Sequence, residues 1–154
     1  MSERYQSKVV VFLILTRIID GNTEILLQER QNTGYMDGKY DMAVSGHLEK
    51  GESLSMSLVR EAKEEMDIEV DEKDLELVSV IHPYQEDYIN FFFKTKEYRG
   101  TPKIMEPEKC NNLKWFNICE LPDNIMTRIK NVIENIKKGI LYDDGDFSKQ
   151  KEEN

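Results

Sequence analysis

Between Gly46 and Ile68 the chain reads GHLEKGESLSMSLVREAKEEMDI, and this stretch constrains the rest more than any other. Leu54, Leu58, Ala62 and Met66 recur every fourth residue with Val59 beside them, the apolar stripe of a helix lying on a core. Ser53 carries a hydroxyl able to accept a first-turn N–H, so the helix is predicted to start there. Met56 stands where a reciprocal capping pair would need Glu or Gln. At about 100° of rotation per residue, Glu61, Glu64 and Glu65 share one flank, and Glu65 falls near the Leu54/Leu58 edge of the stripe. Carboxylates crowded there repel one another and lose hydration unless a cation lies between them. Mg²⁺ or Mn²⁺ meets that need, because hard divalent ions prefer oxygen ligands and keep waters that a phosphate can displace. Arg60, one turn before Glu64 and free to pair with Glu52, is placed to hold those carboxylates in position. The plainer alternative is a solvated acidic helix face, the usual meaning of a charge run.

Taken together, the fixed positions resemble the Nudix box, G-x5-E-x7-R-E-U-x-E-E-x-G-U with U aliphatic, at Gly46, Glu52, Arg60, Glu61, Ala62, Glu64, Glu65 and Ile68. Asp67 departs from it, standing where the family has a glycine that ends the helix in a left-handed conformation. Asp tolerates that backbone at modest cost, so the departure touches the helix exit and not the acids. The resemblance implies an α/β fold, an α/β/α sandwich around a mixed sheet. It also implies a MutT-like, Mg²⁺- or Mn²⁺-dependent hydrolase of the phosphoanhydride bond in nucleoside diphosphate-linked compounds. The simplest substrate is a nucleoside triphosphate, oxidised ones included, giving monophosphate and pyrophosphate. Glu61, Glu64 and Glu65, with Glu52 and a carbonyl near Ser45 or Gly46, are the expected metal ligands. ADP-ribose or a nucleotide sugar remains open as substrate, and so does a non-hydrolytic nucleotide-binding module on the same domain.

A formal net charge of −9 argues against a nucleic-acid polymer or an anionic membrane as partner, since phosphate backbones are repelled over most of such a surface. A small phosphorylated ligand is compatible with it if a metal and a few local basic groups receive the phosphates. The length of 154 residues fits one domain, a monomer or a homodimer. Only Cys110 and Cys119 are present, at no spacing that suggests a disulfide framework or a zinc site. The apolar run Val9 to Leu15 is too short to span a membrane, and no small-x-small cleavage site follows it, which predicts a cytoplasmic protein.

Along the chain, Lys8 to Arg17 reads as a strand buried on both faces, the DGN at Asp20 to Asn22 as a turn, and Glu24 to Arg30 as the returning strand. Arg30 closes that strand. It is either an ordinary strand-end arginine or, by resemblance, a contact for substrate phosphates. Leu75 to His82, Tyr88 to Thr95 and Leu113 to Phe116 read as further strands, with the aromatic Tyr88–Thr95 run central. Glu106 falls, relative to Gly100 and Pro102, where some MutT-like members keep a metal-binding or water-activating glutamate; Glu86, Asp87 and Glu108 compete for that role. Asn124 resembles a position that reads a purine edge, while its local chemistry favours the N-cap of a last helix over Asn124 to Lys138. The domain is expected to span residues 1–142, with a charged, mobile tail over 143–154.

Overall fold

The computed structural model describes residues 3–145. Strand β1 (Lys8–Ile19) turns through Asp20 and Gly21, both at positive φ, into β2 (Asn22–Arg30). Two central residues with φ near 50° and 81° make the turn whose twist matches an antiparallel pair, and Asp-Gly is the dipeptide that adopts it cheaply. Two short strands lead into the acidic stretch, β3 (Tyr40–Met42) and β4 (Val44–His47), the first pairing β2 and the second β1. Then come α1 (Leu54–Met66), β5 (Glu76–Ile81), β6 (Tyr88–Thr95), β7 (Cys110–Asn117), α2 (Thr127–Lys137) and β8 (Tyr142–Asp143).

The sheet runs β3-β2-β1-β6-β5-β8, with β4 also on β1 and β7 also on β2. It is mixed, because β6 lies parallel to β1 while β1 and β2 are antiparallel. Both β1 and β6 are interior strands, as their continuous apolar runs predict: Val11 to Leu15 are all buried. Alternation divides their side chains between two cores. Val11, Leu13 and Leu15 pack with Leu58, Ala62 and Met66 of α1. Phe12, Ile14 and Phe92 pack with Ile129, Val132 and Ile133 of α2, and the rings of Phe12 and Phe92 stack at 4.4 Å. One helix on each face of a mixed sheet is the predicted α/β/α sandwich.

The last helix begins later than Asn124, and Asn124 does not cap it. Tyr40 donates to the Asn124 carbonyl at 2.9 Å and accepts from the Met126 N–H at 3.0 Å, a bridge between β3 and Ile125 that keeps residues 124–126 out of the helix. The helix therefore starts at Thr127, with Met126 as an N-cap that offers no side-chain acceptor. At the chain's end, Tyr142 and Asp143 pair with Val80 and Ile81 of β5, so ordered structure continues past residue 142. Of the tail expected over 143–154, Asp143 belongs to β8 and residues 146–154 lie outside the described residues. No helix among the described residues is long and apolar enough to cross a membrane.

Candidate active site

Helix α1 enters and leaves as its end residues dictate. Ser53 Oγ accepts the Met56 N–H at 3.1 Å. At the exit, Asp67 takes the left-handed conformation (φ 53°, ψ 42°) and its N–H reaches the Ala62 and Lys63 carbonyls. Its carboxylate lies 2.8 Å from Lys63 Nζ and 3.2 Å from Lys103 Nζ, contacts that hold its pKa below the usual range. Asp67 thus meets the backbone demand normally given to glycine and adds two ion pairs that offset the strain.

Before the helix, the turn at Gly51 (φ 87°) brings Glu52 back over Arg60. The pair is bidentate, with Nε to Oε2 at 2.7 Å and Nη2 to Oε1 at 3.0 Å. The same guanidinium donates to Glu61 at 2.8 Å and Glu64 at 3.3 Å, and lies 3.8 Å from Glu49. The hydrogen bond to Glu52 is the main reason the Arg60 pKa stands far above the ordinary value. One arginine thus binds a ring of acids that the sequence crowds together, and leaves them a net negative charge. Among the described residues no three acidic, histidine or cysteine side chains converge on a single point. Glu64 is 59% exposed, whereas Glu61 is 13% exposed, packed beneath Gly46. A Cβ on Gly46 would stand 2.7 Å from Glu61 Cγ and closer still to its carboxylate. Glycine is what lets β4 and the Glu61 side chain share that space. Burial pushes the Glu61 carboxyl up, against the pull of Arg60.

Glu65 is the most perturbed of these acids. Its Oε2 accepts the Ser45 N–H at 2.9 Å, and burial drives its pKa to about 8, with Glu61, Glu106 and Asp41 adding repulsion. Glu106 and Glu65 line one small cavity of about 30 Å³, together with Gln28, Lys109 and Cys110. Of the four loop acids named from the sequence, Glu106 is therefore the one that the fold brings to the helix. Glu86 and Asp87 lie in the β5–β6 turn, where the Glu86 N–H meets the Pro83 carbonyl and the Asp87 carbonyl meets the Lys8 N–H. The Glu108 carbonyl accepts from Asn32.

Arg30 is committed within the protein. It pairs with Asp41 at 3.0 Å, donates to the Tyr35 carbonyl at 2.8 Å and lies 5.5 Å from the Tyr35 ring centroid. Asn124 donates to the Gly38 carbonyl at 2.9 Å, fastening the loop over residues 31–39. Asp41 is a residue the sequence reading passed over. It is 4% exposed, accepts from the Met42 N–H, and burial raises its pKa despite Arg30. The available signal was a lone acid inside the short apolar run YDMAV, one strand away from Arg30.

The NUDIX domain profile matches residues 8–136. The NAD-capped RNA hydrolase NudC of Pseudomonas putida is 32% identical over 106 residues, which is 68% of this chain. That match takes in 36% of the relative's length, so this chain covers little more than a third of it. Two solved structures share the fold. A MutT NUDIX hydrolase from Burkholderia pseudomallei has a TM-score of 0.71 at 22% identity, covering 84% of this chain and 97% of its own. A MutT protein from Methanosarcina mazei has a TM-score of 0.68 at 17% identity, covering 89% and 97%.

Proposed function

This chain belongs to the Nudix family, and from that premise we propose that it is a hydrolase that cleaves the phosphoanhydride of a nucleoside diphosphate-linked compound in Mg²⁺ or Mn²⁺. The observation that carries the metal dependence is Glu65: a half-buried carboxyl repelled by Glu61, Glu106 and Asp41, with the Ser45 N–H as its hydrogen-bond donor. Such a group is costly to ionise unless a cation joins it, and its oxygen donors suit a hard divalent ion. Glu61, Glu64 and Glu65, with Glu52 and the Gly46 carbonyl, are the residues that would hold it. Bound there, the ion supplies charge neutralisation for the diphosphate and acidifies a water.

The chain's own residues supply the rest. Arg60 keeps Glu52, Glu61 and Glu64 from repelling one another apart while the acids wait for their ligand. Glu61, whose pKa is raised, or Glu106, across the small cavity from Glu65, takes the proton from the attacking water. In-line attack on phosphorus then expels the other phosphate, and the reaction is carried mainly by positioning and electrostatics. The simplest substrate is a nucleoside triphosphate. The likeness to proteins described as NAD-capped RNA hydrolases supports a second reading, a dinucleotide or ADP-ribose-type diphosphate.

The deciding experiment is a turnover screen in Mg²⁺ and Mn²⁺ over standard and oxidised nucleoside triphosphates, ADP-ribose, NAD⁺ and nucleotide sugars, in ¹⁸O water with products identified by mass. Metal-dependent release of a nucleoside monophosphate with one ¹⁸O on a phosphate is expected. No turnover of any of them, with a thermal melt indifferent to Mg²⁺, rejects the proposal.

Gly46→Ala tests the site's geometry. The new methyl must displace the Glu61 carboxylate, so kcat is expected to fall roughly 10- to 100-fold, as for misplacement of a catalytic group by about 1 Å. Stability should drop only by the 1–3 kcal/mol or so typical of overpacking. Full activity in the Gly46→Ala enzyme would show that Glu61 need not sit beneath β4.

A further inference from the structure

Across the loop tip from Arg30 lies a cluster that the proposed chemistry has not used. Arg128, in the first turn of α2, donates through Nη2 to the Tyr35 hydroxyl at 3.2 Å and to the Tyr88 hydroxyl at 3.1 Å. Its guanidinium carbon lies 5.7 Å from the Tyr88 ring centroid. Arg17, Arg30, Arg60 and Arg99 each pair with a carboxylate. Arg128 has no carboxylate within ion-pair distance among the described residues, in a protein of net charge −9.

The hydrogen bonding of the cluster is one-sided. Both phenol oxygens accept from Arg128, which leaves their own O–H protons to donate outward. Two residues along β6 from Tyr88, and therefore on the same face, Asn90 is 1% exposed with neither its amide nitrogen nor its oxygen partnered among the described residues. Guanidinium, two hydroxyls and an unused amide make a site rich in donors, and the complement of such a site is an oxyanion. Tyr35 is 46% exposed and Tyr88 and Arg128 are half-buried, so the cluster meets solvent at Tyr35.

The cluster is also electrostatically connected to the helix acids. Arg128 holds Tyr35, whose carbonyl accepts from Arg30 at 2.8 Å, and Arg30 pairs at 3.0 Å with Asp41, an acid that adds to the repulsion felt by Glu65. Arg30 is already paired with Asp41, whereas Arg128 pairs with no carboxylate among the described residues.

We propose that Arg128, with the Tyr35 and Tyr88 hydroxyls, receives the outer phosphate of a nucleoside triphosphate, the one that departs within pyrophosphate. This rests on the phosphoanhydride hydrolase reading above and narrows it to triphosphates over nucleotide sugars and ADP-ribose. Arg128 is a binding residue; the hydrolytic step belongs to the helix acids.

The test measures binding, which separates it from turnover. Calorimetric titration of the full chain in Mg²⁺ compares α,β-methylene-ATP with α,β-methylene-ADP, non-cleavable probes differing by one phosphate. The wild type should bind the triphosphate at least about tenfold tighter, and Arg128→Ala should shrink that ratio to within about twofold. Arg128→Lys should retain part of it, because an ammonium keeps the charge without the fork. Lys130→Ala, on the exposed side of the same helix, should leave the ratio intact. If Arg128→Ala does not fold, Tyr35→Phe and Tyr88→Phe take its place, each lowering the ratio severalfold. A wild type indifferent to the third phosphate overturns the assignment, and so does a ratio that survives these substitutions. Should the ratio behave as expected while no nucleotide is turned over, the receptor stands and the hydrolytic reading of this site fails.

Discussion

Glu65→Gln is expected to abolish metal-dependent turnover, by about a thousandfold or more, while making the metal-free protein more stable at pH 8. The two effects share one cause. In the fold the Glu65 carboxyl has a pKa of about 8 against an ordinary value of 4.5. Between those values the native state holds a proton that the unfolded chain has released, so stability falls as pH rises. The contribution is complete below pH 4.5 and is lost as pH climbs through 8. The full loss is on the order of 5 kcal/mol, from about 1.4 kcal/mol for each tenfold change in proton affinity. Glutamine carries no charge to be stripped of water, and its amide oxygen can still accept the Ser45 N–H. The variant should therefore escape the decline. Thermal melts from pH 5 to 9 without metal should show the wild type falling and Glu65→Gln nearly level above pH 6. Mg²⁺ should reverse the order by stabilising the wild type increasingly toward high pH, because binding requires the deprotonated carboxylate. Parallel pH profiles for the two proteins would show that Glu65 is not the strained acid the fold makes it.

The legible parts of this molecule are those set by neighbours in sequence. The fourfold apolar spacing of Leu54, Leu58, Ala62 and Met66 marks α1 because a helix face repeats at that interval, and Ser53 and Asp67 mark its ends by their own backbone chemistry. Arg60 was readable for the same reason, since its reach to Glu64 follows from helix geometry. Less legible is anything decided by a distant partner. Asn124 looks like an N-cap until Tyr40 of β3 bonds to residues 124 and 126 and keeps them out of the helix. Asp143 looks like the start of a charged tail until β5 offers it and Tyr142 an edge. The contact of Tyr35 with Arg128 joins residues 93 apart, and no local pattern announces it. Sequence crowding pointed to a cation among the acids and to Arg60 as the partner of Glu64 and Glu52. It did not show that the same arginine also reaches Glu61 and Glu49.

That arginine sets the second large effect. Arg60→Ala removes the guanidinium from between Glu52, Glu61 and Glu64, of which the first two are 15% and 13% exposed. A pair of that burial lies between the exposed ion pairs, which contribute little, and the fully buried ones, whose breakage costs 3–5 kcal/mol or so. The metal-free variant should lose about 2 kcal/mol. In Mg²⁺ much of the loss should return, because the carboxylates freed from Arg60 are oxygen donors left without a cation. The Mg²⁺-induced rise in Tm should accordingly be larger for Arg60→Ala than for the wild type, even as kcat falls at least about tenfold through loss of the positioned Glu61 and Glu64. Arg60→Lys keeps a charge but not the bidentate grip on Glu52, and should fall between them. Arg60 and the divalent ion would then be alternative counter-ions for one set of acids, the arginine holding them together until the metal and its nucleotide arrive. Equal Mg²⁺ shifts in the three proteins would mean that the arginine and the metal share no ligands, and that these acids answer only to Arg60.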